Sequence, residues 1–329
     1  MTPPAGAAPF LATAGWAGAQ ILPLAGDASF RRYFRIVDGA RRAVLMDAPP
    51  PHEDPRPFIA VDEWLGQHGF AAPEILARDL EQGLLLIEDF GDARLREHLD
   101  DAPNDETALY ARAVDLLAQL HRLPAQAGLG PYDREVYQRE AGLLTEWFAP
   151  AAGLDVDAQA YVAAWDKVLP IAEQDRAPVV TVLRDYHAEN IMLLADQKRS
   201  WGLGLLDFQD ALAGHPAYDL VSLLQDARRD VTPSVERAML ERYQSIVETS
   251  SDFEAAYAVL GAQRNAKIIG IFTRLWKRDG KPRYLSFLPR MWGLLERDLA
   301  HPALAPVADW FATNVPAEAR GELKVGAEQ

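Results

Sequence analysis

Residues Thr181–Gln209 read TVLRDYHAENIMLLADQKRSWGLGLLDFQ. An apolar run enters a loop holding Asp185, His187 and Asn190. A second run follows, turns around Asp196–Ser200, and returns as Leu203–Leu206 to present Asp207. Two short apolar runs on either side of a polar turn predict a β-hairpin. Such a hairpin brings Asn190 and Asp207 to the same open end, with Asp185 one short loop upstream. Asp and Asn favour turns and caps in their own right, but here the D-x-x-x-x-N spacing lies between apolar runs and is followed by Leu-Leu-Asp-Phe. Two carboxylates and an amide converging on one point suit phosphoryl transfer. The hard cation Mg²⁺ takes oxygen ligands, usually one or two carboxylates plus the phosphates of a substrate, and Asn190 and Asp207 can supply protein oxygens to it. Asp185 is then left to accept a proton from an attacking hydroxyl.

The segment Leu183–Asn190, LRDYHAEN, resembles the catalytic loop of the aminoglycoside phosphotransferase-like kinases, whose usual form is H-x-D-x-H-x-x-N and which share a fold with protein kinases. The resemblance implies Asp185 as catalytic base, Asn190 and Asp207 as Mg²⁺ ligands, and His187 as a residue that shapes the loop. Leu183 stands where the family usually has its first histidine.

The chain has 329 residues, 49% of them hydrophobic and 25% charged, as in ordinary globular proteins. Its net charge of −15 lacks the basic footprint of a nucleic-acid binder. With no cysteine, disulfides, thiolate nucleophiles and cysteine-ligated zinc are excluded. The N-terminus MTPPAGAAPFL lacks the basic flank and apolar core of a signal peptide, and no apolar run reaches the length of a membrane span. The expected setting is cytoplasmic, with no membrane or nucleic-acid partner and no obligate protein partner.

Upstream of the loop, Ile21–Leu24, Tyr33–Val37 and Ala43–Met46 alternate as strands, with turns between them. The loop Gly26–Ser29 can lay backbone N–H groups and the Ser29 hydroxyl over phosphates. Kinases carry a phosphate-binding lysine on the third strand; here Met46 and Asp47 stand in its place, which leaves Arg31, Arg32 or Arg35, or metal and backbone alone, to serve the phosphates. Phe58–His68 has helical spacing. Pro73–Ala77 and Gly83–Ile87 read as two more strands, and the family order makes Glu88, Asp89 and Phe90 the linker whose backbone meets adenine. From Arg94 the pattern turns helical, with Thr107–His121, Arg134–Phe148, Ala158–Glu173, Pro233–Glu248, Phe253–Thr273 and Leu285–Leu299 as amphipathic or apolar helices. Asp219 opens another, either as a carboxylate at the positive helix end or, as the resemblance implies, as a brace accepting backbone N–H groups of the catalytic loop. The expected fold is α+β and protein-kinase-like: a small antiparallel β-rich lobe over residues 1–90 and a larger, mostly helical lobe over 91–329 carrying the catalytic hairpin.

The acceptor is narrowed by finer resemblances. GDASFRRYFR, the lysine-free VLMDAPP, LLIEDFGD and GHPAYDLVSLLQDA together look like the bacterial anomeric kinases of N-acetylmuramate and N-acetylglucosamine, enzymes of peptidoglycan recycling. The resemblance implies ATP and Mg²⁺ as cofactors and a small amino sugar as substrate. The lactyl carboxylate of N-acetylmuramate calls for a cation, and the late helix offers Arg264, Lys267 and Arg274; Arg184 and Gln209 complete the candidate substrate-binding set. The competing readings are a kinase of aminoglycosides or choline, and a non-catalytic nucleotide-binding protein.

Overall fold

The computed structural model describes residues 1–24, 30–173 and 178–323; the loop proposed for phosphates, Ser29 included, lies outside them. The described chain divides into two compact units, residues 1–109 with 188–211, and residues 110–187 with 212–323.

The first unit opens with helix α1 (Ala7–Thr13), followed by strands β1 (Gln20–Pro23), β2 (Arg32–Asp38) and β3 (Arg41–Asp47). Helix α2 (Arg56–Gln67) then leads to β4 (Ile75–Asp79) and β5 (Leu84–Glu88). The strands form one antiparallel sheet in the order β1-β2-β3-β5-β4. Alternate side chains of β2 and β3 point to one face, so Phe34, Ile36, Ala43 and Leu45 join Leu84 and Leu86 in a cluster with Phe10, Leu11 and Trp16 from the N-terminal segment. The opposite face of β3 and β5 is also closed: Met46 and Leu85 are fully buried. This explains why Leu84–Ile87 is apolar throughout rather than alternating.

Helix α3 (Leu95–Asp101) follows, and α4 (Glu106–Leu120) carries the chain into the second unit. The helices there are α5 (Arg134–Ala141), α6 (Ala149–Ala151), α7 (Ala158–Val168), α8 (Ala217–Leu224), α9 (Pro233–Ile246), α10 (Phe253–Lys277), α11 (Leu288–Leu299) and α12 (Ala305–Asn314). The expected helix Arg134–Phe148 is α5 followed by a π-helical turn, Leu144–Phe148. Helix α10 is buried along most of its length and packs on α5, α8, α11 and the π-helical turn. Close approach is possible because a Cβ on Gly270 would lie 2.3 Å from the Leu143 backbone. Where polar groups enter this core they satisfy one another: Asp298 accepts from Gln225 at 2.9 Å and from Asn265 at 3.0 Å. Among the described residues no helix is long and apolar enough to cross a membrane.

Four short strands remain. β6 (Val180–Val182) pairs with β9 (Leu212–Gly214) in the second unit, and β7 (Ile191–Leu193) pairs with β8 (Leu203–Leu205) in the first. The β7–β8 pair is the hairpin expected from the sequence. It is tied to its own unit by the amide of Leu205, which donates to Ala71 O at 2.8 Å, and by the amide of Leu193, which donates to Ala93 O at 2.7 Å.

Candidate active site

At the open end of the hairpin the Leu206 amide donates to Asn190 O at 2.9 Å, which extends the β7–β8 pairing by one residue. Immediately beyond, Asp207 takes φ = 62°. A left-handed conformation disfavours most side chains, and Asp is one of the few that tolerates it. Asn190 Nδ2 then lies 3.4 Å from Asp207 Oδ2, while Gln209 Nε2 donates to Asp207 Oδ1 at 2.9 Å. Phe208 stacks on Phe58 of α2, with ring centroids 5.0 Å apart, and so fixes the residue next to Asp207. A carboxylate and an amide side by side are hard oxygen donors, of the kind and number Mg²⁺ takes from a protein when phosphates complete its shell.

The loop carrying Asp185 belongs to the second unit. It leaves β6 and is held at its start by Asp219, which is fully buried in the first turn of α8. The amides of Leu183 and Arg184 donate to the two oxygens of Asp219 at 2.7 and 2.8 Å. His121 Nε2 lies 3.8 Å from the same carboxylate, and His121 Nδ1 is 2.8 Å from the Tyr243 hydroxyl. Arg184 adopts φ = 69°, and the chain turns on itself through hydrogen bonds from the Asp185 amide to Leu183 O and from the His187 amide to Asp185 O. Tyr186 anchors the far side of the turn: its buried hydroxyl donates to Ala113 O at 2.8 Å. His187 is buried, 3.2 Å from Arg228 Nη1. Asp185 itself is half-buried. Leu183, at the position of the family's first histidine, is packed in the core; Asp219 and Tyr186 brace the loop.

The three arginines considered for phosphates each face a carboxylate. Arg32 Nε donates to Asp47 at 2.7 Å across the β2–β3 register, and Arg31 lies 3.7 Å from Glu53. Arg35 donates to Asp89 and Asp92 at 3.1 Å each and to Gly91 O at 3.2 Å. Glu88 meets Arg199 through both oxygens, at 2.6 and 2.8 Å. Burial pushes the Glu88 carboxyl up, but the Arg199 hydrogen bonds and the Glu74 amide hold it below the usual range. The Arg199 guanidinium also lies over the Phe90 ring, 5.3 Å from its centroid.

The candidate acceptor residues separate. Arg264 is only 4% exposed and donates to Ser222 Oγ at 2.9 Å, a core contact. Arg274 is half-buried, and burial together with Arg278 lowers its pKa. Lys267 instead joins Arg184. Its Nζ lies 3.0 Å from Glu140 Oε2 and 3.3 Å from the Tyr218 hydroxyl, while Arg184 Nη2 contacts Glu140 Oε1. The Tyr132 hydroxyl donates to the same carboxylate. Glu140 is absent from the sequence-derived set. Its signal was available: it follows Tyr137 by three residues on a helix whose apolar face is buried, and a charge on such a face requires a partner.

A model of a phosphotransferase enzyme family matches residues 20–259. The N-acetylmuramate/N-acetylglucosamine kinase of Caulobacter vibrioides is 36% identical, covering 95% of this chain and 97% of its own length. The protein of the same name from Pseudomonas aeruginosa is 38% identical over 90% of this chain and 88% of its own. Among solved structures, a choline/ethanolamine kinase family protein from Mesorhizobium loti superposes with a TM-score of 0.63 at 14% identity, over 92% of this chain and 96% of that one. Choline kinase LicA from Streptococcus pneumoniae gives 0.60 at 13%, over 87% and 93%. At such low identity these two structures establish the protein-kinase-like fold alone.

Proposed function

Because the chain belongs to the phosphotransferase enzyme family, we propose that it transfers the γ-phosphoryl group of ATP to the anomeric hydroxyl of N-acetylmuramate and N-acetylglucosamine. The observation that carries the reaction class is the Asn190–Asp207 pair, 3.4 Å apart at the end of a hairpin that begins five residues after Asp185 on the chain. The acceptor is drawn from relatives named for these sugars that match nine-tenths or more of the chain.

In this reading Asn190 and Asp207 hold Mg²⁺, which when bound neutralises charge on the phosphates. Asp185 accepts the proton of the anomeric hydroxyl as its oxygen attacks the γ-phosphorus. The bond from that phosphorus to the β-phosphate oxygen breaks, and ADP leaves. Phosphoryl transfer asks little covalent work of a protein and depends on positioning, so the rigid hold of Asp219 and Tyr186 on the loop has a direct use. An anomeric hydroxyl is more acidic than an ordinary alcohol, which suits a carboxylate base. Glu88–Phe90 is the segment proposed to meet adenine through its backbone, with Arg35 and Arg199 fixing its side chains. Ser29, Arg31 and Arg32 remain the candidates for phosphate contact.

The test is an acceptor panel read by ³¹P NMR, with Asp185→Asn as control. The expected product is a sugar 1-phosphate, and kcat in the variant should fall by roughly 10²–10⁴ with KM for ATP little changed. A 6-phosphate product would overturn the reading. So would both sugars left untouched while choline or an aminoglycoside is consumed.

A further inference from the structure

We propose that Arg228 is a positioning residue for the base Asp185: by donating to His187 Nε2 it fixes that ring as the neutral tautomer protonated on Nδ1, and so holds the exit of the catalytic loop. The assignment rests on the reading of Asp185 as base and adds a residue absent from the sequence-derived set.

His187 is buried, and its Nε2 lies 3.2 Å from Arg228 Nη1. The distance alone does not say which ring nitrogen carries the proton, but the chemistry of the partner does. A guanidinium has five N–H donors and no acceptor, and it stays protonated in proteins. Whatever its other N–H groups serve, Nη1 can only donate, so Nε2 must offer its lone pair. The single proton of the neutral ring is then on Nδ1. A doubly protonated ring would set donor against donor and charge against charge in a buried place, where an uncompensated charge is costly.

The contact lies where the loop needs a second hold. On one side of Asp185, the amides of Leu183 and Arg184 are held by Asp219. On the other side the His187 amide donates to Asp185 O at 3.0 Å, and His187 is the last residue of the second unit before the chain passes to the first. Fixing the His187 ring therefore fixes the peptide that closes the turn around the base.

Arg228 is itself anchored. Its amide donates at 2.9 Å to Oδ1 of Asp226, a buried residue. From α11, Arg290 donates to Ala227 O at 2.9 Å and through two nitrogens to the Asp230 carboxylate. Helix α8 lies between the two holds: Asp219 is in its first turn, and Arg228 follows its last residue, Leu224, by four positions. Eight helical residues span about 12 Å, so one short rigid element carries the grips on both sides of Asp185. Phosphoryl transfer depends on positioning, and a small misplacement of a reacting group is costly in rate.

The first measurement is the ¹⁵N spectrum of histidine-labelled enzyme, with the His187 signals identified by their loss in the His187 variants. The expected spectrum has an unprotonated Nε2 and a protonated Nδ1. In Arg228→Met both shifts should move toward the averaged values of a ring that exchanges tautomers. The second measurement is kinetic. Loss of a charge-assisted contact should lower kcat in Arg228→Met roughly tenfold, with KM for ATP little changed. Glutamine extends its amide as far as Nε2, and asparagine only as far as Nδ1. His187→Gln, which can still accept from Arg228, should therefore exceed His187→Asn in kcat by about tenfold. Adding Arg228→Met to His187→Asn should cost little more, because the contact is already lost. A proton on Nε2 in the parent overturns the proposal, as does His187→Asn equal to His187→Gln in kcat. If Arg228→Met fails to fold, the parent spectrum and the two His187 variants decide. A kcat in Arg228→Met within twofold of the parent, beside a large fall in Asp185→Asn, overturns the role of Arg228 alone. Near-parent kcat in Asp185→Asn overturns the reading of the base beneath it.

Discussion

Replacing Asp219 by Asn is the sharpest test of how the loop is held. The carboxylate is fully buried and accepts two backbone N–H groups, from Leu183 at 2.7 Å and from Arg184 at 2.8 Å. An asparagine of the same shape offers one accepting oxygen and one NH₂ group, so one of the two amides must face a donor. A hydrogen bond to a charged group contributes about 1.5–3 kcal/mol, and a buried donor left unpaired costs about 1–3 kcal/mol. Removing a buried charge offsets part of this, which leaves a net loss of about 3–5 kcal/mol. The loss is local at first, because the Arg184 amide bond also holds a residue at φ = 69°, a conformation that costs of order 1–3 kcal/mol and persists only while its surroundings enforce it. Urea unfolding, hydrogen exchange and steady-state kinetics report the three consequences. The unfolding midpoint should fall, the Leu183 and Arg184 amides should exchange well before global opening, and kcat should drop more than KM for ATP rises. Stability within about 1 kcal/mol of the parent, with both amides still protected, would refute this account.

Three further perturbations address other parts of the molecule. Asp207→Ala should abolish turnover while leaving the fold intact, and Mn²⁺ binding followed by water-proton relaxation in the presence of ATP should weaken; near-normal kcat at ordinary Mg²⁺ would remove Asp207 from the metal site. Burial, with lesser contributions from Glu63 and Glu88, raises the Asp62 carboxyl on α2 from 3.8 to about 7, so the folded protein binds a proton that the unfolded chain has released. The resulting stability is present at the acid end and lost as pH rises through that window; the thermal midpoint should carry this downward slope in the parent and lose that contribution in Asp62→Asn. Gly270→Ala should destabilise by about 1–3 kcal/mol or more, since its Cβ would lie 2.3 Å from the Leu143 carbonyl carbon and 2.5 Å from its oxygen; an unchanged urea midpoint would mean that α10 shifts freely against the π-helical turn.

The elements legible in the sequence are those whose signal is local. The hairpin β7–β8 was readable because Ile191–Leu194 and Leu203–Leu206 flank a turn rich in Asp, Lys, Arg and Ser, and pairing two such runs places Asn190 opposite the approach to Asp207 without further information. The sheet of the first unit was readable for the same reason, from period-two alternation and turn residues. The pairing of β6 with β9 was not: each strand has three residues, the partners are separated by the whole hairpin, and no turn joins them. Arg199 and Glu88 are 111 residues apart and meet through both carboxylate oxygens, a contact that neither residue's neighbours announce.

Charged side chains show the limit most clearly. Arg264, Lys267 and Arg274 share one helix and read alike along the chain, yet one is a core residue bonded to a serine, one pairs with a buried glutamate, and one is half-buried, with its pKa lowered mainly by burial. What a cation does is set by the partner that desolvates with it, and that partner comes from another element. Glu140 shows the same from the other side. Its position on an apolar helix face was visible, but its use depends on Arg184, 44 residues away, and on a backbone turn that brings that guanidinium back to α5. Periodicity tells which side chains are buried; only the packing of α5, α8 and α10 tells which buried charges answer one another.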